Sequence, residues 1–271
     1  EFVTKYIFPL KTGKTAFLKS AKYYYRKRSD GTSTLDSAWE KPGLYDIVLQ
    51  KGCINSMQNY LDAGLPIPES LQIKVLYHIF WYLKRFINNR SRLSFLTDMQ
   101  ILKFEELVHE IFSMIDDKVI LQFSLAGCWF YHKVGMLASF KNTDPSFQIV
   151  YVEAYDNIKQ LVQLRYFTKD VNLEHITIDG ADTLPSFAKT IKHDFLGKNF
   201  VNERGLWVKI KPDSLVNIQI ADITTNLSLA AKQEKNGIRG SKIISHFRAM
   251  TPTYPVNDKY KNAWVLMYRD N

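Results

Sequence analysis

At Asn142-Thr143-Asp144-Pro145 the hydrophobic pattern changes period, and that change limits the fold more than any other feature of the 271 residues. Before it, apolar side chains recur every three to four positions, which lines one face of a helix. After it they alternate, as in a strand with one face buried. A chain patterned this way is α+β: a helical bundle over residues 36–141, followed by an antiparallel β-sandwich-like domain over residues 146–232.

On the helical side, the strongest stripe runs from Glu69 to Ile87 through Leu71, Val75, Leu76, Ile79, Phe80, Leu83 and Phe86. Thr97 and Asp98 are placed to cap the next helix, whose stripe runs through Ile101, Leu102, Leu107, Val108, Ile111, Phe112 and Ile115. Pro42 suits the first turn of an earlier helix that Gly52 would stop. A short helix follows from Ile54 to Leu61, and a later one spans Ala126 to Phe140.

On the strand side, Phe147–Val152 and Leu161–Phe167 flank a turn at Asp156-Asn157. Further strands are expected at His175–Ile178, Phe200–Val201, Leu206–Ile210 and Val216–Ile220. Asp179-Gly180 reads as a turn. Lys232–Arg239 is polar, contains Gly237 and reads as a loop, and Ala263–Tyr268 reads as a buried strand. Residues 233–271 are thus expected to form a loop and the first strand of a following domain.

Apolar residues make up 46% and aromatics 14% of the chain, which excludes a disordered polymer. Two cysteines, Cys53 and Cys128, are too few for a disulfide scaffold and fit a reducing compartment. The six histidines show no metal-ligand spacing, so structural roles are expected for them. No apolar run reaches the ~18 residues of a membrane span, and the amino end lacks the apolar core of a signal peptide. The expected location is cytoplasmic, with contact at the inner face of the membrane left open.

The net charge of +9 is unevenly placed: residues 1–28 hold eight Lys or Arg against the single acid Glu1, a local net of +7. Such a cluster calls for an anionic partner. It culminates in Tyr23-Tyr24-Tyr25-Arg26-Lys27-Arg28-Ser29-Asp30-Gly31-Thr32-Ser33-Thr34-Leu35-Asp36. The tyrosines favour an extended strand, and Ser29-Asp30-Gly31 favours a turn. Alternation would put Arg26 and Arg28 on one face, able to converge on one anion. A solvated basic edge strand is the competing reading. Nucleic acid is not the expected partner, because no RNA- or DNA-binding motif accompanies the basic and tyrosine residues. Gly13-Lys14-Thr15 does not complete a phosphate-binding loop, since Phe8 occupies the position of its first glycine.

The stretch from Tyr23 to Asp36 resembles the carboxyl end of the catalytic domain in bacterial family-two glycosyltransferases that build capsules, teichoic acids and related envelope polymers. Leu76-Tyr77-His78-Ile79-Phe80-Trp81-Tyr82 resembles a helix that follows that domain, with His78 in place of the usual acid. The resemblance covers about residues 1–140. Gly197–Trp207 and Trp264–Asp270 look more loosely like the β-rich connector of multidomain polymerases. Residues 1–35 would then be the tail of a truncated α/β nucleotide-sugar transferase domain.

The resemblance implies inverting transfer from a nucleotide-diphosphate sugar to a polymer acceptor, with Mg or Mn held by a D-x-D motif and an aspartate as general base. Arg26 and Arg28 would bind diphosphate or acceptor phosphate, Tyr25 would line the acceptor site, and Ser33 and Thr34 would hydrogen-bond phosphate or sugar. The chain itself contains no D-x-D, and the acidic pair would fall before Glu1. It is therefore expected to be a piece of a longer enzyme, inactive alone and with no cofactor of its own. Its expected partners include amino-terminal catalytic and carboxyl-terminal transferase domains, and a homo-oligomer is left open. The competing class is a non-catalytic polymer-binding or oligomerisation module. Of the aromatics, Tyr77, Phe80, Trp81 and Tyr82 suggest a sugar-stacking surface, but at helical spacing they are expected in the core. Trp207 and Trp264 are read the same way.

Overall fold

A computed structural model describes residues 20–22 and 38–250. The expected strand at Ala263–Tyr268 lies outside the described residues. Helices come first and strands after, the α+β order that the change of period implies. The chain divides into two compact units. One holds the described residues up to Gln148 with Tyr166–Leu173 and Lys189–Arg204; the other holds Ile149–Arg165, Glu174–Ala188 and Gly205 onward.

In the first unit, α1 (Asn55–Asp62), α2 (Glu69–Phe86), α3 (Asp98–Ser113), α4 (Asp117–Gln122) and α5 (Phe130–Met136) follow in order. The apolar stripe of α2 is buried at Leu71, Val75, Leu76, Ile79, Phe80, Leu83 and Phe86. Thr97 does cap α3: its hydroxyl accepts from the Gln100 N–H at 3.3 Å, and Gln100 Oε1 accepts from the Thr97 N–H at 2.9 Å. At the other end of α3, Lys141 Nζ donates to the carbonyls of Phe112 and Ile115 at 3.2 and 2.9 Å. Gln72, 3% exposed, donates to Asp116 Oδ2 and accepts from the Asp116 N–H, which ties the start of α2 to the cap of α4.

Several boundaries differ from the sequence expectations. Gly52 does not stop a helix. It keeps helical backbone inside a wide π-type stretch, Leu49–Ile54, that runs directly into α1. Pro42 opens only a 3-10 turn, Pro42–Leu44. The helix expected from Ala126 begins at Phe130, because Ala126 and Gly127 take left-handed backbone angles (φ 55° and 70°) that interrupt it.

The strands are β1 (Phe147–Asp156), β2 (Leu161–Thr168), β3 (Glu174–Ile178), β4 (Ala181–Asp182), β5 (Phe187–Phe195), β6 (Lys198–Lys209), β7 (Leu215–Ile220), β8 (Thr224–Leu229), β9 (Lys232–Glu234) and β10 (Ile238–Arg239), followed by α6 (Gly240–Met250). One sheet has the order β5-β6-β2-β1-β8-β9 and the other β10-β7-β3-β4. The four-stranded sheet is antiparallel throughout, as are the β1–β2 and β8–β9 pairs. Asp179 and Gly180 both have positive φ and form the tight turn between β3 and β4.

The two strands expected at Phe200 and Leu206 are one, β6, whose intervening polar side chains bond to neighbouring segments. Asn202 donates to the Lys169 carbonyl, and Arg204 to Thr190 and Asn172. The region Lys232–Arg239, expected as a loop, carries β9 and β10.

In the first unit, Gly135 of α5 lies against Phe200, whose ring is 1% exposed. A Cβ added to Gly135 would sit 2.1 Å from that ring. Gly135→Ala is therefore expected to lower unfolding free energy by about 1–3 kcal/mol despite the better helix propensity of alanine. Urea denaturation checks this; a variant as stable as the parent would contradict the packing.

Candidate functional site

The sequence-predicted site residues Tyr25, Arg26, Arg28, Ser33 and Thr34 lie outside the described residues, so none of them enters the geometry below. Among the described residues, the first unit contains a cleft of about 490 Å³. Lys84 and Ile87 from the end of α2, with Asn88 just beyond it, form one wall. Gly127, Trp129, Tyr131 and His132 lead into α5 and form another, and His193 of β5 completes the lining.

Backbone geometry explains the cleft. Left-handed backbone at Asn88 (φ 57°) follows the end of α2 and at Ala126-Gly127 delays the start of α5, so Asn88, Gly127 and Trp129 line the cleft from outside the helices. Trp129, at the N-cap position of α5, is left 68% exposed.

The His193 wall is fixed by a chain of hydrogen bonds. Asn88 Oδ1 accepts from the Asp194 N–H at 2.8 Å, so its amide nitrogen is the group that donates to His193 Nδ1 at 2.9 Å. The ring proton must then sit on Nε2, which donates to Glu203 Oε2 at 2.9 Å. Both ring nitrogens are engaged in hydrogen bonds, so His193 positions the wall.

His132 is 5% exposed, accepts from the Trp129 N–H through Nδ1 at 3.0 Å and meets the Phe80 ring edge-on. Burial pushes its pKa down to about 4, and the charge of Lys84 acts in the same sense. Burial also raises the Cys128 thiol to about 12, so it is no nucleophile at neutral pH.

Lys84 is the cleft's cation. Its ammonium donates to the Ala126 carbonyl at 2.9 Å and lies 5.0 Å from the centre of the Trp81 ring. Trp81, expected in the core, is 40% exposed, as is Tyr77 at 42%; Phe80 and Tyr82 of the same motif are fully buried. Trp207 is half-buried.

The arrangement offers aromatic faces, one fixed cation and amide and imidazole edges. Its lining holds no Ser, Thr, Cys, Asp or Glu. No three His, Cys, Asp or Glu among the described residues gather where they could hold a metal ion. With no D-x-D in the sequence, the residues present do not fit the divalent metal of the resemblance, and no step below runs through one. Sequence reasoning did not single out Trp129 or Lys84. The one available signal was Ala126-Gly127, small residues that favour a bend just before a large indole.

The geometry thus defines an α+β chain with an aromatic, basic cleft, and comparison with known proteins adds a partial relationship. Over 123 residues the chain is 31% identical to the minor teichoic acid biosynthesis protein GgaB of Bacillus subtilis (strain 168). The match covers 44% of this chain and 13% of that protein. No protein-family profile and no solved structure matches the chain. Among the described residues, no helix is long and apolar enough to cross a membrane.

The buried His132 has a pH signature. An unfolded imidazole takes its proton near 6.5, whereas the native one refuses it until about pH 4. Stability is therefore complete above pH 6.5 and falls as pH drops toward 4, by up to about 3 kcal/mol. Urea midpoints compared at pH about 7.5 and about 5 should drop in the parent and drop less in His132→Gln. Equal drops would show that another group carries the proton.

Proposed function

We propose that the chain is part of a bacterial glycosyltransferase that moves a sugar from a nucleotide-diphosphate sugar onto a growing cell-envelope polysaccharide or teichoic-acid-like polymer. The observation that carries this reading is the 31% identity over 123 residues to a protein of minor teichoic acid biosynthesis. The Tyr23–Asp36 motif supports it from the sequence side, because it gathers phenol, guanidinium and hydroxyl groups in one short stretch.

In such a transfer an acceptor hydroxyl attacks the anomeric carbon, the bond from that carbon to the diphosphate oxygen breaks, and the sugar inverts. Negative charge grows on the departing diphosphate, so cations beside it lower the barrier. Arg26 and Arg28 fill that role in this reading, with Ser33 and Thr34 donating to phosphate or sugar and Tyr25 lining the acceptor side. The proton of the acceptor goes to a carboxylate base, and the groups named here bind donor and acceptor. Its place is the cytoplasmic side of the membrane, where the nucleotide donor is available.

A charge-assisted hydrogen bond is worth roughly 1.5–3 kcal/mol, so losing two guanidinium groups should weaken donor binding at least about tenfold. Titration of the 271-residue chain with UDP-glucose and UDP-N-acetylglucosamine, parent against Arg26→Ala/Arg28→Ala, measures this. Identical binding curves would remove these residues from the donor site.

A further inference from the structure

The outward stripe of α2 and the cleft at its end share one residue, Lys84. Tyr77, Trp81 and Lys84 follow at i, i+4 and i+7, so they line one side of the helix over about 10 Å. Tyr77 and Trp81 touch edge-to-face, with ring centres 6.1 Å apart, and both are exposed. Lys84 covers the Trp81 ring and bonds to the Ala126 carbonyl, which holds its ammonium at the mouth of the cleft. Beyond it stands Trp129, the most exposed tryptophan among the described residues.

From this we infer that Tyr77, Trp81, Lys84 and Trp129 form a binding track for a linear saccharide that carries phosphate. The inference rests on the choice of an envelope polymer as substrate in the reading above, and it places that polymer on the helical unit.

Three observations choose the ligand. Exposed indole and phenol rings lose water favourably against the C–H faces of sugar rings, and their faces impose little sequence or substituent preference. The cleft contributes a cation, and none of its lining residues is a carboxylate, so an anion is the charge partner it lacks. Lys84 has no carboxylate within ion-pair distance among the described residues, and its carbonyl bond leaves ammonium protons available. Finally, the aromatic faces continue along the helix beyond the cleft. A single nucleotide would fill the cleft, whose volume suits a small ligand, but would leave Tyr77 and Trp81 unused. A repeating chain uses both.

Because both ring nitrogens of His193 are engaged and His132 is buried neutral, the track binds without doing chemistry. It would hold the growing polymer while a catalytic centre elsewhere works on its end. Holding the chain raises the effective concentration of that end, which is the gain expected from a second point of attachment.

The test uses the full 271-residue chain and purified wall teichoic acid as the phosphate-bearing polymer, with dextran, polyphosphate and UDP-glucose as comparison ligands. Binding is followed by tryptophan fluorescence and calorimetry at ~50 and ~300 mM NaCl. Expected is teichoic acid binding that weakens at least tenfold in Trp129→Ala and in Trp81→Ala and is restored in Trp129→Phe. Lys84→Met should flatten the salt dependence. Thermal denaturation confirms that each variant remains folded.

Unchanged affinity in Trp129→Ala overturns the proposal. Dextran binding as tightly as teichoic acid also overturns it, since the phosphate would then be irrelevant. So does Trp129-dependent binding of UDP-glucose alone, which would make the cleft a nucleotide site. The transferase reading fails separately, through Arg26 and Arg28. Trp129-dependent polymer binding without any nucleotide-sugar binding would keep the track and discard the transferase. The converse result would do the opposite.

Discussion

Burial of the Tyr82 phenol is the constraint on which the helical unit depends. Its ring is 1% exposed and meets Trp39, Tyr45 and Phe104 at centre distances of 5.2, 5.8 and 5.7 Å. A hydroxyl taken out of water needs an acceptor, and the Leu44 carbonyl provides it at 3.0 Å. Tyr45 repeats the arrangement by donating to the Trp39 carbonyl at 2.6 Å. These contacts bind the segment before α1 to α2 and α3 with both rings and hydrogen bonds, each aromatic pair adding about 0.5–1.5 kcal/mol beyond area burial. Burial raises both phenols well above their usual pKa, so they remain neutral donors under all ordinary conditions.

That commitment sets what α2 can show to solvent. With Ile79, Tyr82 and Phe86 turned inward, helix geometry leaves Tyr77, Trp81 and Lys84 on the opposite side. The exposed aromatic stripe is thus the other side of a well-filled core. The cleft has a different origin, in backbone bends. Positive φ at Asn88, Ala126 and Gly127 bends the chain after α2 and before α5, and the hydrogen-bonded series Asp194, Asn88, His193, Glu203 holds the far wall of the cleft. Both parts are held by hydrogen bonds and core packing within the chain, which favours a preformed binding surface.

In the functional reading, the chain separates two tasks by residue type. There the guanidinium groups of Arg26 and Arg28 would meet diphosphate, where charge develops during transfer, and the flat aromatic faces with one ammonium would meet the saccharide, through apolar contact and a few charges.

The order of helices before strands, the extent of α2, the cap at Thr97 and the turn at Asp179-Gly180 were all legible in the sequence, because periodicity, capping and turn chemistry act between residues a few positions apart. Strand β5 was not: it is the edge of its sheet, largely exposed, and shows no alternation. Strand β8 was missed because its polar Thr225, Asn226 and Ser228 are nonetheless buried. The sequence could state that Tyr77, Phe80, Trp81 and Tyr82 share one helix, but a helix buries whichever face its neighbours cover. Only tertiary packing decided that Phe80 and Tyr82 lie inside while Trp81 and Trp129 face water, since that choice rests on contacts made far along the chain, Tyr82 with Phe104 of α3 and Phe80 with His132 of α5.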